Sequence, residues 1–423
     1  MSSSIGVTRL LMVFGRPFMA GGVLVVLLCA SMPAPAQDQA FRQALELYKA
    51  GSLEQARAVL LASIGAHPTG IDFSLLGTID VSTGRLDDAE QHLRRAIKLE
   101  PGLVGARLTL AQVLLSKGDA KAAEQVFREI LARDPNNVEA LFELGAMLLD
   151  QGRFADAKVC LEQARGRAPK DVRILLKLAR LRNVQLDPEG SLALLLEARK
   201  LQPHDFSVLY AFGAVCLEMD LFKDATAALE EAVKLNPVDQ KARYALASAR
   251  VANKNIPAAI EIYEGLLKEE PENAQLNYAL GTAHYLAGDN IHARLYLNQS
   301  VGLMPQQVES YYYLAEIGLQ EAETEKSIEL LTMVIDRSPG HVRAHISLGM
   351  AYRAQGRLAD AELELETAAR LDPQSQKAHY QLGLVLAKLK EVDRASKEME
   401  AADRLRESGA DKVSWELAPV PKK

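Results

Sequence analysis

Three histidines have the spacing from which a metal site is built. His341 and His345 are four residues apart, one helical turn, and His379 follows His345 by 34 residues. Imidazoles brought together in that way hold zinc or a similar divalent ion when a further ligand completes the set. No carboxylate obviously does so, so these are read as ordinary semi-buried histidines and no metal is expected; His284 and His292 offer still less. A larger set is aromatic. Phe142, Tyr210, Tyr244, Tyr278, Tyr312 and Tyr380 share one recurring position with Phe41, and the tyrosines at 210, 244, 278 and 312 are each 34 residues apart. Rings at even spacing give a ladder of large contact area with a hydroxyl on each rung, suited to an extended peptide or a sugar chain. The competing reading is that each ring fills the crevice between neighbouring helices, as aromatic stripes at helical spacing usually do. Charges beside the file are segregated. Arg173, Lys177, Arg180 and Arg182 form a basic section, and Glu309, Glu316, Glu321, Glu323 and Glu325 an acidic one. Arg343, Arg353, Lys377 and Lys388 return to positive. Solvated helix faces explain most such runs, so they point only weakly to a partner.

Other chemistry lacks its parts. The sequence holds no phosphate-cradling glycine loop, no CxxC pair, no HExxH and no G-x-S-x-G, so no catalytic residue and no cofactor is expected.

What positions these residues is a period. Pro101, Pro135, Pro169, Pro203, Pro237, Pro271, Pro305, Pro339 and Pro373 are each 34 residues apart, and Pro68 precedes them by 33. A period of that size marks an array in which each unit is one supersecondary element. Between prolines the pattern predicts two amphipathic helices, for example Asn273 to Leu286 and Ile291 to Leu303, joined by Ala287-Gly288-Asp289-Asn290. Asn277, Leu280, Gly281 and His284 follow i, i+3, i+4, i+7 spacing along one stripe. Each proline stops the second helix.

A second column is small. Ala111, Gly145, Ala179, Gly213, Ala247, Gly281, Ala315, Gly349 and Gly383 each follow a proline by ten residues, and Gly77 follows Pro68 by nine. Glycine inside a helix costs about 0.5 to 1 kcal/mol relative to alanine, so its recurrence predicts a close helix crossing. Large residues recur opposite it in the second helix, among them Leu93, Leu161, Leu229, Leu297 and Leu365. Pro188 and Pro257 fall in the opening turns of second helices, where proline is tolerated.

These columns resemble the tetratricopeptide repeat family over residues 37–409. The resemblance implies an all-α fold, an α-α superhelix (alpha solenoid) of about eleven helix-turn-helix repeats: 37–69, 70–103, 104–137, 138–171, 172–205, 206–239, 240–273, 274–307, 308–341, 342–375 and 376–409. First helices would line a concave groove, with the aromatic file facing it. Phe142, Tyr210, Tyr244, Tyr278, Tyr312, Tyr380, Arg173 and Arg180 are therefore the candidate ligand-binding residues. The family's large aromatic at the fourth repeat position is mostly missing; Arg107, His345 and His379 are among its replacements. The turn glycine is lost around Leu186 and Ala322. A polar last helix reads as a terminal cap.

Residues 1–36 have the layout of an export signal. Arg9 and Arg16 precede an apolar run from Phe18 to Ala30, and Ala34-Pro35-Ala36 offers small residues for cleavage after Ala36. An uncleaved anchor and a lipoprotein acylated at Cys29 are the alternatives. Those residues carry two arginines and no acid, so the remainder holds 47 basic against 55 acidic residues, a net charge of −8. That disfavours nucleic acid. Cys160 and Cys216 lie too far apart along the array for a disulfide. The tail after Gly409, with Trp415, is read as packing over the end of the array; the alternative is a free docking peptide.

The expected function is a non-enzymatic scaffold holding an extended peptide or partner protein in its groove. It would be exported to a periplasm or secreted, with a bacterial envelope as the setting. The alternative is a carbohydrate-binding or assembly accessory of envelope polysaccharide export. A membrane would be a partner only if the signal is retained as an anchor.

Overall fold

The structure is a computed structural model that describes residues 35–65 and 68–408. The export signal assigned to residues 1–36 lies outside the described residues, except for Pro35 and Ala36, which open the first helix. The tail with Trp415 lies outside them too.

The described residues form helices and turns, with no strand. Contacts divide them into two compact units, one ending at Pro203 and one beginning at His204. No break in the 34-residue period marks that boundary. The first unit holds α1 (Pro35–Lys49), α2 (Leu53–Ile64), α3 (Gly70–Ser82), α4 (Leu86–Leu99), α5 (Val104–Ser116), α6 (Ala120–Arg133), α7 (Val138–Asp150), α8 (Phe154–Arg167), α9 (Val172–Val184) and α10 (Pro188–Leu201). The second holds α11 (Phe206–Glu218), α12 (Phe222–Leu235), α13 (Gln240–Ala252), α14 (Ile256–Glu269), α15 (Ala274–Leu286), α16 (Asn290–Leu303), α17 (Val308–Gln320), α18 (Thr324–Arg337), α19 (Val342–Ala354), α20 (Leu358–Leu371), α21 (Gln376–Lys388) and α22 (Val392–Ser408). The fold class is an α-α superhelix of helix pairs.

Local chemistry explains the boundaries. Two residues after the proline, Asn137, Asp171, Asp205, Asp239 and Asn273 each accept a hydrogen bond from a backbone N–H in the first turn of α7, α9, α11, α13 and α15. Such caps satisfy donors that the helix itself cannot. Between the helices of a pair one residue turns left-handed. Gly84, Gly118, Gly152, Gly288 and Gly356 do so, and the same turn is made without glycine by Leu186, Asp220, Lys254, Ala322 and Lys390. The turn thus survives where its sequence signal is lost. Pro188 and Pro257 sit in the opening turns of α10 and α14, as expected.

The small column marks the close crossings it predicts. A Cβ added to Gly77, Gly145, Gly213, Gly281 or Gly349 would come within 2.8 Å or less of Cγ of Leu93, Leu161, Leu229, Leu297 or Leu365 on the paired second helix. Real Cβ atoms do not tolerate such distances, so Gly281 lets α15 settle directly on Leu297 of α16.

Packing also defines an inner side in each unit. First helices α1 and α3, α3 and α5, and α7 and α9 approach one another directly in the first unit. In the second, α11 and α13, α15 and α17, α17 and α19, and α19 and α21 do the same. Among the described residues no two second helices approach comparably. Shorter separation on the first-helix side makes that side the inner one.

Candidate interaction surface

The aromatic file is mostly interior. Phe142, Tyr244, Tyr278 and Tyr312 are buried, Tyr278 to 1% exposure, while Tyr210 is half-buried and Tyr380 is 43% exposed. The expected ladder of accessible rings is therefore corrected for four of the six. Their contacts go to residues outside the file. Tyr244 meets Tyr263 edge-on at 5.3 Å, and Tyr278 and Tyr312 meet Tyr313 at 6.1 and 5.2 Å. Tyr210 stacks on Phe206 of its own helix. Burial pushes the Tyr244 hydroxyl up to about 12, and that of Tyr278 well above its ordinary value. These rings fill crevices between helices, where the hydrophobic gain is greatest.

The candidate arginines are anchored to the preceding repeat. Arg173 donates through Nη1 and Nη2 to Glu139, at 3.1 and 3.0 Å, and its guanidinium lies 4.8 Å from the centre of the Phe142 ring. Arg180 donates to Asp150 at 2.8 Å. In the second unit Arg343 donates to Glu309 at 2.8 Å and to the Tyr313 hydroxyl at 3.3 Å, with its guanidinium 4.7 Å from the centre of the Tyr312 ring. Acid and arginine occupy the same repeat position, 34 residues apart, and the arginine covers the aromatic of the earlier repeat. Electrostatics follow. Hydrogen bonds from Arg173 to Asp171 and Glu139 raise its pKa. For Arg343, burial opposes the charge, but the hydroxyls of Tyr313 and Tyr312 and the Glu309 carboxylate hold the pKa above its ordinary value. Burial likewise works against ionised Glu309, and the hydrogen bond to His341 keeps its carboxyl low.

The segregated charge sections prove to be ties within and between neighbouring helix pairs. Arg182 reaches Asp187 at 3.1 Å, and Glu321 and Glu323 converge on Arg294 at 2.6 and 3.1 Å. Half of the Arg173 and Asp150 side-chain surface nevertheless remains open to solvent.

Each histidine of the sequence-derived metal candidate has its own carboxylate. His341 pairs with Glu309 at 3.0 Å, His345 with Glu364 at 2.6 Å and His379 with Glu398 at 2.6 Å. They do not converge. His345 and His379 instead turn Nε2 to the carbonyls of Pro339 and Pro373, at 3.0 and 3.3 Å, and Arg107 donates to the Pro101 carbonyl. At these three fourth positions a polar side chain closes the backbone of the preceding repeat's proline corner in place of the aromatic. His284, Asp289 and His292 do come together, reversing the order in which the sequence ranks the histidines. Their spacing follows no helical face, so periodicity alone could not find them.

Unpaired polar atoms form a further feature that sequence reading missed. Glu316 Oε1 and Gln381 Oε1 on the first helices α17 and α21 are buried without a hydrogen-bond partner, as are Ser191 Oγ on α10 and Asn290 Oδ1 on α16. The Tyr244 hydroxyl faces the Gln275 amide, and Tyr278 faces Thr282.

Among the described residues no helix is long and apolar enough to cross a membrane. Cys160 and Cys216 are not in a disulfide, and burial pushes the Cys160 thiol up. Helix pairs of this length, small-to-large crossings and an inner face of first helices define an α-solenoid scaffold.

Sequence models of known families match most of this array. The TPR domain of cytochrome c-type biogenesis protein H matches residues 63–173. A tetratricopeptide repeat model matches 142–206, 210–274 and 244–308, a TPR repeat model 349–390 and a second tetratricopeptide repeat model 376–408. The chain belongs to the tetratricopeptide repeat proteins. No curated protein matches it in sequence. Among solved structures it is similar to yeast Tom70, at 14% identity over 89% of this chain and 93% of that one, with a TM-score of 0.47. The APC/C hetero-tetramer Cut9-Hcn1 is matched at 16% identity over 88% and 80%, with a TM-score of 0.49. YrrB, described as a TPR protein with an unusual peptide-binding site, is matched at 15% identity over 44% and 95%, with a TM-score of 0.40.

Proposed function

We propose that the protein is a non-enzymatic scaffold whose inner face holds an extended polypeptide. The observation that carries this reading is the inner side formed by successive first helices, on which Glu316 and Gln381 each hold an unpaired side-chain oxygen. An unsatisfied buried group costs about 1 to 3 kcal/mol. An extended main chain laid along the first helices brings N–H donors for the unpaired oxygens of the half-buried Glu316 and Gln381. In the first unit, the half-exposed Arg173 and Arg180 can exchange Glu139 and Asp150 for carboxylates of a ligand at little electrostatic cost. Membership of a family of repeat scaffolds agrees with protein binding. The glycan reading drew in part on accessible tyrosines, and the burial of Tyr244, Tyr278 and Tyr312 weakens that part. Export to a bacterial envelope is proposed from the sequence of residues 1–36.

The test is an array of unstructured peptides probed with the full chain and with the Glu316→Ala, Gln381→Ala double variant. The parent is expected to retain a subset of peptides, and the variant to bind them at least about 10-fold more weakly while melting no lower. An outer-face control, Glu261→Ala, should change neither property. A parent that retains no peptide, or a variant that retains them all undiminished, contradicts the reading.

A further inference from the structure

His284 stands in the last turn of α15, Asp289 caps α16 and His292 stands in the first turn of α16. Nδ1 of His284 and Nδ1 of His292 lie 3.3 and 2.7 Å from the same oxygen, Oδ2 of Asp289. One ligand atom from each residue lies within 4.8 Å of the other two. The imidazoles stack on each other, with centroids 5.2 Å apart, and Tyr296 stacks on His284 at 5.5 Å.

Backbone geometry holds the three in place. The Asp289 N–H donates to the His284 carbonyl at 2.9 Å across the turn that Gly288 makes with φ +78°. Oδ1 of Asp289 accepts from the His292 backbone N–H at 3.1 Å, which fixes the carboxylate and turns Oδ2 to the two rings. Each imidazole can donate an Nδ1 proton to that oxygen, and the same convergence of two nitrogens and one oxygen suits a cation once those protons leave.

We infer that His284, Asp289 and His292 form a binding site for a divalent transition-metal ion, with zinc the first candidate. Two imidazole nitrogens and one carboxylate oxygen suit zinc, nickel or copper; calcium and magnesium favour all-oxygen sets. His284 is 10% exposed and His292 54%, so the site is anchored on one side and open to water on the other. Further coordination positions would face solvent. Glu264, on α14 of the preceding repeat, acts electrostatically on His284 and adds a second negative charge to that of Asp289. The positive end of the α16 macrodipole opposes a cation, and two full negative charges outweigh it. Such an ion would clip the end of α15 to the start of α16.

The experiment uses the full chain, free of any polyhistidine tag, titrated with Zn²⁺ by calorimetry and with Co²⁺ by absorption spectroscopy. One equivalent should bind, and Zn²⁺ should raise the melting temperature. Loss of an outer-shell partner alone costs a metal site about 10- to 100-fold in affinity, so His292→Ala should cost at least about 10-fold. Asp289→Asn should do the same while keeping the helix cap. His204→Ala, which removes another exposed histidine paired with a carboxylate, should leave binding unchanged. The proposal fails if the parent takes up no more zinc than the two site variants, or if the zinc-induced rise in melting temperature survives both substitutions.

Discussion

Arg343 stands one full repeat after Glu309 and bonds to it at 2.8 Å, while covering the buried Tyr312 ring of the earlier repeat. Arg173 repeats the relation with Glu139 and Phe142 in the other unit. The two differ in exposure: 27% of the Arg343 side chain is accessible against 53% of Arg173. A guanidinium that is mostly desolvated and bonded to both a carboxylate and a hydroxyl is worth more than an exposed one. Arg343→Ala should therefore destabilise the second unit by roughly 2 kcal/mol. Arg173→Ala should cost less than about 1 kcal/mol. Arg343→Lys should restore only part of the loss, because an ammonium cannot present the planar fork. Urea unfolding of the three variants measures this, and equal losses at the two arginines would remove the burial argument.

The His345 side chain bridges Glu364 and the Pro339 carbonyl. Burial lowers its pKa, but the Glu364 carboxylate and that carbonyl outweigh burial and raise it above the ordinary 6.5. A group whose folded pKa is raised adds stability that is complete below the unfolded value and disappears as pH climbs through the folded one. The stability difference between the parent and His345→Gln should thus be largest near pH 6 and shrink towards pH 8. A difference that grows with pH would show that the ring is buried as the neutral form.

Left-handed turns without glycine carry avoidable strain. Leu186 and Ala322 have φ of +60° and +63°, where a side chain costs about 1 to 2 kcal/mol. Glycine removes that cost and adds some chain entropy to the unfolded state. Leu186→Gly and Ala322→Gly should each stabilise by about 0.5 kcal/mol, and Gly288→Ala should destabilise by about 1 kcal/mol. Thermal melts decide it: no gain at either position would mean that neighbouring contacts had already absorbed the strain.

Much of the fold is legible because one constraint repeats. The prolines set the period, the residue two places later caps the next helix, and Gly281 facing Leu297 can be read from two columns in register. The site is less legible for physical reasons. Tyr278 and Tyr380 occupy the same repeat position, yet one is 1% exposed and the other 43%. What differs is the covering supplied by the following repeat: Tyr313 lies over Tyr278, whereas the repeat of Tyr380 closes the described array. Likewise, nothing in the spacing of Glu309 and Arg343 says that they share a face until first helices are known to touch. His284, Asp289 and His292 converge only because the chain reverses between them.

Close crossing at Gly281 has a direct test. A Cβ there would stand 2.8 Å from Leu297 Cγ and 3.1 Å from the Leu297 backbone nitrogen. The side chain can shift but the backbone cannot, so Gly281→Leu must part α15 from α16. Overpacking of this kind costs about 1 to 3 kcal/mol. Gly281→Ala should cost less, since Ala247 and Ala315 occupy the matching place in the flanking repeats. A leucine variant that melts like the parent would mean that the helices are not held at this distance.

Tyr244 and Tyr263 are buried neighbours with different expectations for the same substitution. Their rings meet at 5.3 Å, but the Tyr263 hydroxyl shares a 2.9 Å hydrogen bond with Ser248, whereas the Tyr244 hydroxyl faces the Gln275 amide without a well-formed hydrogen bond. Removing the Tyr263 oxygen leaves the Ser248 hydroxyl alone in the interior, so Tyr263→Phe should destabilise by about 1 to 2 kcal/mol. Removing the Tyr244 oxygen costs only that weaker contact, so Tyr244→Phe should be close to neutral, within about 0.5 kcal/mol. Urea unfolding of the two variants measures this, and the same loss of stability in both would place the Tyr244 hydroxyl in a full internal hydrogen bond with Gln275.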